Sequence, residues 1–95
     1  MKNLYDVICE IIKRPELYIG KPSLERLYAF IGGYLYQNEF VTENCLDGFN
    51  EYVAERYGLD TDHNWSLIIQ FFSNDEKEAF NKFAQLFDEF CRSKS

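Results

Sequence analysis

Basic residues are few and scattered: ten Lys and Arg stand against sixteen Asp and Glu, with no Lys/Arg cluster anywhere in the chain. Proteins that grip nucleic acid neutralise phosphates with such clusters, and proteins that lie on anionic membrane surfaces need them too. Neither partner is expected. No apolar run approaches the roughly 20 residues of a membrane span. The first residues, Met1-Lys2-Asn3-Leu4-Tyr5-Asp6, carry no apolar signal segment. A soluble, cytoplasmic protein is the expectation. The three cysteines, Cys9, Cys45 and Cys91, are odd in number and form no CxxC. That pattern reads as reduced thiols rather than a disulfide framework. Cys9 lies beside an apolar stripe and Cys91 beside a phenylalanine seam, so both are read as small core residues.

Catalytic and metal-binding motifs are equally sparse. His63 is the single histidine, with Asp60 and Asp62 as its only acidic neighbours in the loop. A zinc site takes three or four suitable ligands, so His63 reads as a loop histidine balanced by nearby acids. Asp60-x-Asp62-x-Asn64 resembles the start of a calcium loop, but Trp65 stands where the tight-turn glycine belongs and Phe71 where the bidentate glutamate belongs. Gly20-Lys21-Pro22-Ser23 lacks the upstream glycine of a phosphate loop and splits Lys from Ser with a proline. No nucleophile–base pair can be recognised, and the abundant carboxylates show no sign of the paired, differing environments that acid/base work requires. No metal, no cofactor and no enzymatic activity are expected.

Ninety-five residues without repeats, linkers or low-complexity tracts make one domain, residues 1–95. Nine Phe and seven Tyr, in a chain 46% apolar, are far more than a disordered acidic tail contains. Most of these aromatics read as core filling, and any exposed Tyr as a favoured interface anchor.

The hydrophobic period is helical almost throughout. Leu4, Val7, Ile8, Ile11 and Ile12 form one stripe, which Pro15 ends. Pro15 to Gly20 then reads as an ordered turn whose apolar side chains plug one end of the core. Ser23 caps a helix from about Leu24 to Gln37, with Leu24, Leu27, Tyr28, Ile31 and Leu35 on one face, widened by Phe30 and Tyr34. Its Gly32-Gly33 pair costs about 1 kcal/mol per glycine, which close approach of another helix would offset. A third helix fits Asp47 to Tyr57, with Phe49, Val53 and Tyr57 inward, Glu51 and Glu55 outward, and Gly58 past its end. Asn64 caps a fourth, burying Trp65, Ile68, Ile69 and Phe72. Residues 65–72 are also rich enough in β-branched and aromatic residues for a strand, but a lone strand has no partner. Ser73-x-x-Glu76 is a capping box for a last helix seamed by Phe80, Phe83, Phe87 and Phe90. The fold class is all-α: a compact bundle of about five helices.

The charge is uneven. Glu39, Glu43, Asp47, Glu51, Glu55, Asp60 and Asp62 face a single base, Arg56, in one segment, while the other 71 residues hold nine acids and nine bases. That segment therefore carries the whole net charge of −6. Five of its acids recur every four residues, which on a helix stacks like charges at a cost of roughly 0.2–0.5 kcal/mol per pair. One reading is a solvated face that aids solubility. The sharper one is a docking surface for a strongly basic partner, with these seven residues as the contact set.

Five stretches carry a family resemblance: Arg14-Pro15-Glu16-Leu17-Tyr18-Ile19-Gly20; Ser23-Leu24-x-x-Leu27-x-Ala29-Phe30-Ile31-x-Gly33-Tyr34; Phe49-x-x-Tyr52-Val53-x-x-Arg56-Tyr57; Trp65-Ser66-x-Ile68-Ile69; and the closing Asp75-Glu76 to Glu89-Phe90 pattern. Together they span nearly the whole chain, which resembles small bacterial immunity proteins encoded beside polymorphic toxins, including those of contact-dependent growth inhibition systems. Where that family carries Gly-Met, this chain carries Glu16-Leu17. The resemblance implies a non-catalytic protein that binds one cognate toxin domain in the cytoplasm. Many such toxins are nucleases with basic grooves, and an acidic inhibitor blocks such a groove by setting carboxylates where phosphates would sit. The alternative is a helical adaptor or regulator that binds a basic segment of another protein. The neighbouring gene separates the two.

Overall fold

The computed structural model describes residues 3–37, 45–61 and 63–94. Glu39, Glu43 and Asp62, three of the seven acids singled out above, lie outside the described residues.

Helix α1, Leu4–Lys13, starts where Asn3 Oδ1 accepts from the Asp6 N–H at 2.8 Å and stops before Pro15, as the spacing predicts. Leu4, Ile8 and Ile11 are buried, with Val7 and Ile12 at the margin of the core. The segment after Pro15 is a short helix, α2, Pro15–Tyr18, rather than a plain turn. Its proline sits at the helix start, where a missing N–H costs nothing. The expected plug is only half there. Pro15 and Ile19 are buried, but Leu17 is 71% exposed and Tyr18 projects outward to donate to Glu10 Oε2 at 2.7 Å. One helical turn cannot aim four consecutive residues at the same core.

Helix α3, Leu24–Gln37, buries Leu24, Leu27 and Ile31 and packs on α5, Trp65–Phe71, and α6, Glu76–Ser93. Ser23, fully buried, accepts from the Arg26 N–H at 3.3 Å and donates toward Glu76 Oε1 at 3.5 Å. Lys21 pairs with Glu76 at 3.0 Å, and its hydrogen bond and charge hold the Glu76 carboxyl below its ordinary range. The entry to α3 is thereby tied to the start of α6. The Gly32-Gly33 pair departs from expectation: a Cβ at either position meets nothing within 4 Å. Among the described residues no helix crosses closely there.

Helix α4, Phe49–Arg56, begins later than the expected Asp47. Gly48 adopts φ +86°, a left-handed conformation that interrupts any helix, and residues 45–48 form a turn. Its far end is a Schellman motif about Gly58 at φ +67°: the Gly58 N–H donates to Glu55 O at 3.0 Å and the Leu59 N–H to Ala54 O at 2.8 Å. Residues 65–71 are helix α5, not strand. Asn64 Oδ1 accepts from the Leu67 N–H at 3.0 Å. Asn50 Oδ1 accepts from the Trp65 N–H at 2.8 Å and anchors the start of α5 to α4.

The cap of α6 is displaced from the expected capping box. Asp75 is the N-cap and accepts from the Glu78 N–H at 2.8 Å. Ser73 is spent elsewhere, its hydroxyl donating to Ile69 O at 2.7 Å to close the end of α5. Phe80, Phe83, Phe87 and Phe90 are all buried, as their spacing predicts. Phe72 is not: it is 38% exposed and stacks flat on Tyr57 at 4.6 Å.

The described residues form six helices and no strand, the all-α bundle of about five helices expected, with the short α2 as the addition. The radius of gyration, 12.9 Å, is that of a single compact domain of this length. No described helix is long and apolar enough to cross a membrane. At the centre, Phe49 is fully buried and its ring meets Trp65 at 5.4 Å, Phe83 at 5.8 Å, Phe87 at 6.2 Å and Phe90 at 5.2 Å. Phe49→Ala is expected to cost about 3–5 kcal/mol, a large share of a small domain's stability, measured as a lower urea midpoint. In contrast, Gly32→Ala and Gly33→Ala each add a side chain in open space on a helix and are expected to raise stability by about 0.5–1 kcal/mol. Loss of stability in either glycine variant would show that the pair has a packing role after all.

Candidate functional site

The four described acids of the charged segment do not form one ladder. Because Gly48 breaks the helix, Asp47 lies in the preceding turn, where its carbonyl accepts from Lys94 Nζ at 3.3 Å. Only Glu51 and Glu55 share a helical face, one turn apart on α4. Asp60 joins them from beyond the Schellman turn, because Gly58 reverses the chain back along the helix. The three border an open groove of about 610 Å³ together with Ala54, Leu59 and His63. Asp47 lies instead with Glu51 on a second groove, beside Tyr28 and Gly32.

The segment's single base does not offset these charges. Arg56 turns toward α6, where Nη2 pairs with Glu89 Oε2 at 3.1 Å, and the Tyr52 hydroxyl donates to the same oxygen at 3.4 Å. Asp47, Glu51, Glu55 and Asp60 are all exposed, and none makes an ion pair among the described residues. Acids elsewhere are paired: Glu76 with Lys21, Glu78 with Lys82 and Asp88 with Arg92. A like-charged pair on α4 with Asp60 beside it projects a negative field into one concavity.

Sequence reasoning missed the groove's apolar continuation. Leu59 and His63 also line a second cavity of about 450 Å³, completed by Leu67, Ile68, Phe71 and Phe72. His63 stands at the seam, exposed, its N–H donating to Thr61 Oγ1 at 3.1 Å. The signal was present as Leu67 and Phe71 at i, i+4, but it was masked by the equally apolar neighbours Ile68, Ile69 and Phe72.

The cysteines are half-buried rather than fully in the core, and all three are free. Burial pushes the Cys45 thiol up to about 11, with the neighbouring Cys91 thiol adding to the shift, and burial raises Cys91 as well. A thiol so raised is a poor nucleophile at neutral pH. Among the described residues no group of three or more His, Cys, Asp and Glu is placed to hold a metal ion. Comparison with family models, curated proteins and solved structures found no match. Iodoacetamide alkylation of native Cys45 is expected to be slow at about pH 8, where roughly one thiol in a thousand is ionised, and to quicken about tenfold per pH unit. Fast modification at neutral pH, followed by peptide mass spectrometry, would show a reactive thiol instead.

Proposed function

We propose that this protein is an immunity protein: it binds a cognate bacterial toxin domain, a basic nuclease, in the cytoplasm and covers the toxin's groove with its own acidic surface. The observation that carries the reading is the groove edged by Glu51, Glu55 and Asp60, whose carboxylates have no ion-pair partner among the described residues while Arg56 is drawn off to Glu89. Uncompensated like charges lower stability, and a basic partner recovers that cost on binding. The resemblance of residues 14–90 to small immunity proteins points the same way. Action is stoichiometric, by occupation rather than by chemistry.

Charge of this kind acts first on encounter. It raises the association rate at low salt and is screened beyond about 8–10 Å at physiological ionic strength. The test is co-expression with the toxin domain encoded beside this chain, which should restore growth, and titration in vitro, which should abolish toxin activity near one equivalent. The variant Asp47→Lys, Glu51→Lys, Glu55→Lys, Asp60→Lys should keep its helical spectrum, associate at least about tenfold more slowly at low salt, and lose most of that difference at high salt. Unchanged rates in the variant would reduce the acids to a solvated face. Toxin left covalently altered, or silenced by trace amounts of this protein, would indicate an enzyme. Failure to silence any adjacent toxin, with retained binding to a basic segment of another protein, would indicate the adaptor.

A further inference from the structure

Helix α5 buries Trp65, Ile68 and Ile69 on the core, yet it leaves two further large apolar side chains outside. Ser66 is buried to 1% exposure, its hydroxyl accepting from Gln70 Nε2 at 2.8 Å, and Gln70 is itself half-buried. Leu67 and Phe71, one turn apart on the solvent side of the helix, are 53% and 81% exposed. A helix shaped only by folding carries polar residues at such exposed positions. The two exposed side chains are not scattered singly. With Ile68, Phe72 and Leu59 they wall the 450 Å³ cavity, whose rim at Leu59, Thr61 and His63 is also the rim of the acidic groove. A contiguous apolar concavity with a charged border is what an interface anchor site looks like before its partner arrives.

We propose that this cavity is an anchor pocket for one large apolar side chain, carried on a basic segment of the partner protein whose Lys and Arg residues lie along Glu51, Glu55 and Asp60. The inference rests on the proposed acidic docking surface and adds a division of labour to it. The carboxylates steer encounter, and the buried side chain slows release. Charge complementarity selects this occupant over a second copy of the chain. A two-fold pairing through the cavity would bring the two acidic borders together, which opposes association.

The test uses the full chain, isotope-labelled, and three synthetic helical peptides: one with lysines at every fourth position and a central phenylalanine, one with alanine in place of the phenylalanine, and one with glutamine in place of every lysine. The first should bind saturably, shifting the backbone amides of Leu59, Leu67, Phe71 and Glu55. The other two should each bind about tenfold or more weakly. The variant Leu67→Ser, Phe71→Ser should keep its melting temperature, since both side chains are exposed, and should bind the phenylalanine peptide no better than the alanine one. The proposal is overturned if the phenylalanine and alanine peptides bind alike, if the shifts fall elsewhere, or if no saturation occurs by about 1 mM. A concentration-dependent dimer in sedimentation that the double variant abolishes also overturns it, assigning the cavity to a second copy. The toxin experiments read out separately. If the double variant neutralises toxin and releases it at the wild-type rate, the anchor fails and the immunity reading stands. If no toxin is neutralised yet the peptides discriminate as described, the anchor stands without it.

Discussion

The Phe49 ring is the contact on which the other elements converge. It stands at the first position of α4 and meets Trp65 of α5 and Phe83, Phe87 and Phe90 of α6, all within 5.2–6.2 Å between centroids. Trp65 in turn lies against Tyr28 of α3 and stacks on Phe83. Edge-to-face pairs of this kind add about 0.5–1.5 kcal/mol beyond the area they bury, and their geometry fixes angles as well as distances. Four helices are oriented by one connected set of rings. A domain of 95 residues has no second core to fall back on.

That constraint explains where the surface features end up. With Phe49 and Val53 turned inward, Glu51 and Glu55 on the same short helix have no place to go but outward. With Trp65, Ile68 and Ile69 held on the core, Leu67 and Phe71 are forced into solvent on the far side of α5. The Schellman turn at Gly58 then carries Leu59 and Asp60 back between the two helices, and the Asn50 bond to the Trp65 N–H pins α5 to α4. An acidic groove and an apolar cavity meet along this seam as a consequence of packing two short helices through a reversed loop. Electrostatics sharpens the contrast, because Arg56, the single base of the acidic segment, is committed to Glu89 on α6.

Much of this was legible in the chain itself. The stripe of Leu4, Ile8 and Ile11, the cap at Asn64, the phenylalanine seam of α6 and the glycine stop at Gly58 are local signals: each depends on residues within one or two turns, so spacing alone predicts it. The concentration of acid between Glu39 and Asp62 is likewise a property of composition, and so is the class, all-α. Local signals misled where tertiary contacts competed with them. Ser73 matched a capping box, but its hydroxyl was taken by the end of α5 and Asp75 served instead. Gly32-Gly33 suggested a close helix crossing that the described residues do not make. Asp47 kept the four-residue spacing of the acids, yet Gly48 took it off the helix.

What only the tertiary structure decided is which acids share a space and what lies beside them. Glu51, Glu55 and Asp60 converge because a left-handed glycine folds the chain back on α4, and no sequence period encodes that direction. Leu67 and Phe71 are indistinguishable in composition from Ile68 and Ile69; their exposure follows from which face of α5 the Phe49–Trp65–Phe83 cluster claims. Sequence determines the strength of each helix and the sign of the charge, since both are sums over near neighbours. The shape of the surface depends on contacts between residues far apart in the chain, and those exist only once the rings have packed.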